Sequence, residues 1–216
     1  MQGLPRSSLA RGLRPTAAER ATRPRRCIAS ESDAPGASAP RGLQLGCGPF
    51  AAPGLWNADR RGLPGVDLVC DALRLPLASA SLPFVVAIHV LQDLSYLDVI
   101  PALRELCRVL RPGGWLRLGL PDLERAIDAY RAGDAGYFHV SDCDAASLGG
   151  KLVAQAVWYG AVRTPFTYDC IAELLARAGF VAIERRGFGE SGSGALALAR
   201  LDNRERESLF VEARRP

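Results

Sequence analysis

Residues 42–48, Gly42-Leu43-Gln44-Leu45-Gly46-Cys47-Gly48, are a short apolar run that breaks into two glycines one residue apart. The run predicts a strand over Gly42–Leu45, and the glycines remove side chains where backbone must approach a ligand closely. Two more short runs follow. Leu55–Ala58 ends at Asp59, and Val66–Cys70 ends at Asp71. A carboxylate closing the strand after a glycine turn is suited to accept both hydroxyls of a ribose. Gly46, Gly48, Asp59 and Asp71 in this order predict a nucleoside site at the carboxyl ends of neighbouring strands.

The dinucleotide fingerprint G-x-G-x-x-G/A is met literally by Gly46-Cys47-Gly48-Pro49-Phe50-Ala51. That motif needs a helix directly after the glycines to receive a pyrophosphate, and an acid about 20 residues on. Here Pro49, Pro53 and Gly54 interrupt, and Asp59 follows Gly46 by only 13 residues. A ligand with a ribose and an adenine but no phosphates fits the short connection better. A nicotinamide-dependent oxidoreductase remains an alternative.

The remaining sequence alternates strand and helix patterns. Leu82–His89 is a fourth apolar run. Tyr96–Leu110 carries Leu97, Ile100, Leu103, Leu106, Cys107 and Leu110 at helical spacing, with Pro112-Gly113-Gly114 as its stop and Trp115–Leu120 as a fifth strand. A helix is predicted over Leu123–Arg131, opened by Pro121-Asp122, and another inside the less regular segment 133–165, over Ala145–Tyr159. Thr167–Ala178 reads as a helix halted by Gly179, and Phe180–Glu184 and Ser208–Ala213 as closing strands. The Gly-rich stretch between these last two is too irregular for a phosphate loop. This alternation predicts an α/β fold with a mostly parallel sheet covered on both faces, binding ligands beyond its strand ends.

Composition narrows the function classes. The 216 residues are 48% apolar and 23% charged, which suits one globular domain, and Leu82–Ile88 is far too short an apolar run to cross a membrane. The net charge of +4 lies in residues 1–40, where seven arginines face three acids, while residues 41–216 carry 20 basic and 20 acidic groups. A neutral body makes neither nucleic acid nor membrane an expected partner. Six cysteines, never closer than 20 residues, predict no metal site and no disulfide framework. Residues 1–40, rich in Arg, Ala, Ser and Pro, predict a disordered extension before a domain over 41–216. Cytoplasm is the expected compartment, with a mitochondrion or plastid as the alternative if that extension is a transit peptide.

The chain resembles the class I S-adenosylmethionine-dependent methyltransferases. The likeness rests on Leu43–Gly48, Pro53-Gly54-Leu55-Trp56-Asn57-Ala58-Asp59, Val69-Cys70-Asp71, His89-Val90-Leu91, Arg108-Val109-Leu110-Arg111-Pro112-Gly113-Gly114, Leu120-Pro121-Asp122, Ala178-Gly179-Phe180 and 208–213. It implies a Rossmann-like, doubly wound, mostly parallel seven-stranded sheet with an antiparallel last strand, and S-adenosylmethionine as cofactor. It further implies that Gln44, Gly46, Cys47 and Gly48 pass the methionine and ribose part, that Asp59 binds the ribose hydroxyls, and that Asp71 with Ala72 meets the adenine edge. His89 would lie beside the cofactor, facing the acceptor.

Two positions depart from the family pattern. Gln44 stands where an acidic residue is common, and Gln92-Asp93 follow Leu91 where Glu-His is common. These departures leave a catalytically degenerate binding module as a second alternative. The leading expectation is methyl transfer to a small-molecule or saccharide-like acceptor. His89 is the candidate general base, because its ordinary pKa lies near neutrality, or else it only contacts cofactor. Tyr137, Phe138, Trp158 and Tyr159 are candidates for an acceptor lid.

Overall fold

The computed structural model describes residues 41–194 and 198–216. The extension expected over residues 1–40 lies outside the described residues. Seven strands form one sheet: β1 (Leu43–Leu45), β2 (Trp56–Asp59), β3 (Leu68–Val69), β4 (Leu82–Ile88), β5 (Leu110–Pro121), β6 (Val181–Arg186) and β7 (Ser208–Arg214). Their order is β3-β2-β1-β4-β5-β7-β6. The first five run parallel, and β7 lies antiparallel between β5 and β6. The order reverses between β1 and β4, so their carboxyl ends open the crevice that such sheets offer a ligand.

Helices α1 (Tyr96–Val109), α2 (Leu123–Ala132), α3 (Leu148–Val157) and α4 (Tyr168–Ala178) complete the fold. Period-two alternation sends Leu116, Leu118 and Leu120 of β5 and Leu209, Val211 and Ala213 of β7 to one face, where they pack with α1 and α4 in the main core. The ends follow local chemistry. Asp122 caps α2 and Thr167 caps α4 through their side chains, and Gly133 and Gly179 end these helices in the left-handed conformation. α2 and α3 pack on one another around Ala126, Ala129 and Phe138, as a small cluster beside the carboxyl end of β5.

Helices were expected on both faces, yet β1, β2, β3 and β4 are joined by loops without an α-helix. On the face of Gln44 and Asn57, the loop after β1 lies down instead, held by Ala52 N–H donating to Gln44 Oε1 (3.0 Å) and Asn57 Oδ1 (2.7 Å). Beyond β5, the same face carries Arg117 and Glu212, both fully buried. Arg117 donates to the carbonyls of Glu190 (2.6 Å) and Gly187 (3.0 Å) and pairs with Asp202 and Glu212. The Gly-rich stretch after β6 is thus wrapped onto the sheet by one arginine.

Pro112-Gly113-Gly114 is a bulge rather than a turn between helix and strand. Leu110 already pairs with Leu82, and Trp115 pairs with Phe84, so the intervening residues loop out within β5. Gly113 sits at φ +74°, and a Cβ on Gly114 would lie 2.8 Å from the Arg111 carbonyl. Among the described residues no helix is long and apolar enough to cross a membrane.

Candidate functional site

The carboxyl ends of β1, β2, β3 and β4 border a crevice of about 870 Å³, open mouth included, lined by Gly46, Asp59, Asp71, Ala72 and His89, with Arg60, Arg61, Val90 and Asp93. Its floor is built by backbone. Gly46 N–H and Cys47 N–H both donate to the Ala58 carbonyl, at 2.7 and 3.1 Å, tying the glycine turn to β2. Gly46 lies at φ +69°, and a Cβ there would stand 2.3 Å from Val90 Cγ2. Asp59, 6% exposed, accepts from Gly48 N–H at 2.9 Å, from Arg61 N–H at 2.8 Å and from Arg61 Nε at 3.1 Å. Burial pushes its carboxyl up, but the Arg61 guanidinium and these N–H donors outweigh burial and hold it below the usual value. Asp71 is exposed at the rim, with Oδ1 accepting from Leu73 N–H.

Beyond His89 the crevice meets a second pocket of about 650 Å³, mouth included. His89 and Asp93 line both; Gln92, Leu123, Tyr137, Trp158, Val162, Pro165, Arg204 and Glu207 are among the other walls. His89 turns the chain at φ +55°, a conformation His tolerates better than most residues. Its Nε2 lies 2.9 Å from Ser208 Oγ, and Ser208 donates its one proton to the Asn203 carbonyl. Ser208 therefore accepts from Nε2–H, and the imidazole lone pair lies on Nδ1. Burial, aided by the Arg204 cation, drives the His89 pKa down to about 4, so the ring is neutral at pH 7. Burial also raises the Asp93 carboxyl, and Arg60, Arg61 and Gln92 offset only part of the rise.

The family profile described as "Methyltransferase domain" matches residues 51–118. No curated protein matches the chain in sequence. Among solved structures, an S-adenosylmethionine-dependent methyltransferase from Thermotoga maritima, described as a possible histamine N-methyltransferase, superposes with a TM-score of 0.54 at 19% identity, over 83% of this chain and 84% of its own. One from Mesorhizobium loti gives 0.50 at 21% identity, over 81% and 90%, and one from Archaeoglobus fulgidus 0.53 at 12%, over 81% and 86%. The fold is that of the class I S-adenosylmethionine-dependent methyltransferases. The stretch matched by the profile covers β2, β3, β4, α1 and the first part of β5 within that fold.

Within this methyltransferase fold, five of the residues singled out in the sequence, Gly46, Asp59, Asp71, Ala72 and His89, border one crevice. Three do not line it. Gln44 spends both ends of its amide on the loop after β1, donating to Phe50 O at 3.1 Å and accepting from Ala52 N–H. Cys47 is buried with its thiol on the Gly48 carbonyl, and burial next to Asp59 pushes its pKa up, so it is no ready thiolate. Gly48 contributes its N–H to Asp59. Of the four aromatic residues, Tyr137 and Trp158 line the second pocket, Phe138 packs against α2, and Tyr159 faces outward onto Asp144. Sequence reasoning passed over Arg60, Arg61, Val90 and the double placement of Asp93. The available signal was position, since each lies a few residues beyond a strand end.

Proposed function

We propose that the protein methylates a small molecule seated in the pocket beyond His89, with S-adenosylmethionine in the adjoining crevice. The observation that carries this reading is that two chambers of ligand size share the walls His89 and Asp93. The crevice suits the cofactor chemically. Asp59 keeps a lone-pair position on Oδ2 for a ribose hydroxyl, and the Arg61 side chain on its other oxygen is 58% exposed and free to swing away. Asp71 stands at the rim for the adenine amine. Arg60 offers a cation to a carboxylate. The connection from β1 to β2 presents no helix N-terminus to a pyrophosphate, which weighs against a dinucleotide.

Bound S-adenosylmethionine supplies a methyl group on a positively charged sulfur, which leaves neutral and needs no acid. The protein's part is therefore mainly to hold the acceptor in line and keep water out. Tyr137, Trp158 and Val162 supply the apolar enclosure. At the shared wall, His89 offers a lone pair on Nδ1, and Asp93 is a carboxylate of raised basicity able to take a proton from the acceptor.

Calorimetric titration with S-adenosylhomocysteine and, separately, with NAD tests the cofactor assignment. Binding of the first and not the second, lost in Asp59→Ala, is expected; NAD binding without a response to S-adenosylhomocysteine overturns it. Methyl transfer to a small-molecule panel separates an enzyme from a degenerate binding module.

A further inference from the structure

Two buried polar atoms in the second pocket have no hydrogen-bond partner: Gln92 Oε1 and the Tyr137 hydroxyl. Both residues are only 6% exposed, and both line that pocket. They come from separate elements, Gln92 from a 3-10 turn after β4 and Tyr137 from a 3-10 turn after α2. A folded chain satisfies nearly all its buried polar atoms, so two orphans on one cavity mark groups kept for a ligand. Gln92 also helps stabilise the Asp93 carboxylate, a role that only its amide nitrogen can fill, which agrees with Oε1 as the unpartnered atom.

Charge narrows the ligand further. Arg204 is engaged by Glu207 at 3.5 Å, and Asp122 by Arg125 and Arg185 at 3.4 and 2.7 Å. His89 is neutral. Asp93 has no salt bridge within 4 Å among the described residues, and three carboxylates, Asp93, Asp122 and Glu207, line the pocket against one cation, Arg204, so its field disfavours an anion and it has acceptor atoms to spare. Its remaining surface, at Leu123, Ala126, Trp158, Val162 and Pro165, is apolar.

We infer that the acceptor is a compact, uncharged or cationic molecule with an apolar frame, bearing an N–H or O–H donor that Gln92 Oε1 accepts and a second polar group that meets the Tyr137 hydroxyl. This rests on reading the pocket as the acceptor site. A site built to pair such groups rejects analogues that lack them, because its own atoms then stay unpaired. Carboxylates and phosphates are disfavoured by the three carboxylates of the lining.

The test uses three matched probes, 2-phenylethylamine, 2-phenylethanol and 3-phenylpropanoate, followed by ligand-observed NMR on the full chain with S-adenosylhomocysteine present. The amine and the alcohol bind and the carboxylate does not; whichever of the two binds more tightly tells an N–H from an O–H acceptor. Gln92→Met and Tyr137→Phe each weaken that binding by roughly tenfold to a hundredfold. Each leaves the S-adenosylhomocysteine titration unchanged, and Tyr137→Phe keeps or raises the melting temperature, because an orphan is removed, whereas a structural role for its hydroxyl lowers it. Carboxylate binding equal to the others, no probe binding, or binding indifferent to both variants overturns the inference while S-adenosylhomocysteine still binds. Failure of S-adenosylhomocysteine to bind the unaltered protein removes the acceptor reading itself.

Discussion

His89 Nε2 sits 2.9 Å from Ser208 Oγ, joining the end of β4 to the first residue of β7 across the width of β5. The contact orients the imidazole at the junction of the two chambers, while burial and the Arg204 cation keep it neutral. With its folded pKa lowered from 6.5 to about 4, His89 takes up a proton in the unfolded chain before it does in the folded one. Stability is therefore unaffected above about pH 6.5 and falls as pH drops from there towards 4. By pH 5 the loss attributable to His89 reaches up to about 2 kcal/mol. Urea unfolding at pH 7 and pH 5 should show this difference in the protein and not in His89→Asn, whose side chain does not titrate and tolerates the same backbone. Equal pH sensitivity in both chains would exclude the burial effect.

Asp59 organises the glycine turn as well as offering itself to a ligand. Asp59→Ala leaves Gly48 N–H without its acceptor and should cost about 1–3 kcal/mol of stability along with S-adenosylhomocysteine binding. Asp59→Asn keeps an acceptor there and should lose binding with a smaller stability loss. Arg61→Ala removes the guanidinium from Asp59 Oδ1, so affinity should hold or rise and the Asp59 carboxyl should move back up towards its usual range. Calorimetry beside urea melts separates the three; a loss of binding in Arg61→Ala equal to that in Asp59→Ala would show that the guanidinium holds ligand rather than blocks it.

Arg117 is the bolt of the loop after β6. Arg117→Met leaves Glu212 buried without the arginine, a situation that costs about 3–5 kcal/mol. It also frees the segment between Gly187 and Asp202 for cleavage. Limited proteolysis with mass-spectrometric mapping should find new cuts there, and Arg117→Met with Glu212→Leu should recover part of the lost stability. An unchanged cleavage pattern would mean that the loop is held by other contacts.

How much of this was legible in the sequence depends on the range of each force. Asp122, Thr167 and Gly179 act on their own neighbours, so helix ends could be read from them. The glycine turn with Asp59 and Asp71 was legible because strand ends in a parallel sheet converge by topology alone. That Gln44 lies off the crevice was not legible, since nothing local says that its amide will be taken by a loop up to eight residues on. Arg117 reads as an ordinary outward-facing strand residue, and only the return of Gly187, Glu190 and Asp202 onto the sheet brings it partners. The orphaned atoms of Gln92 and Tyr137 were invisible for the same reason, as being unpaired is a property of the assembled pocket.

Gly46 gives the sharpest test of the crevice itself. A Cβ at this position meets two separate obstacles. The left-handed backbone at φ +69° costs an alanine about 1–2 kcal/mol, and Val90 Cγ2 stands 2.3 Å away on a β-branched side chain with little freedom to turn. Gly46→Ala should therefore lose more stability than the backbone term alone and weaken S-adenosylhomocysteine binding at least tenfold. Adding Val90→Ala removes the clash and leaves the backbone term, so the double variant should be more stable than Gly46→Ala, although Val90→Ala alone is destabilising. That reversal of sign, read from urea midpoints, is expected only if the two residues touch across the crevice floor. Simple additivity of the two losses would place Val90 elsewhere.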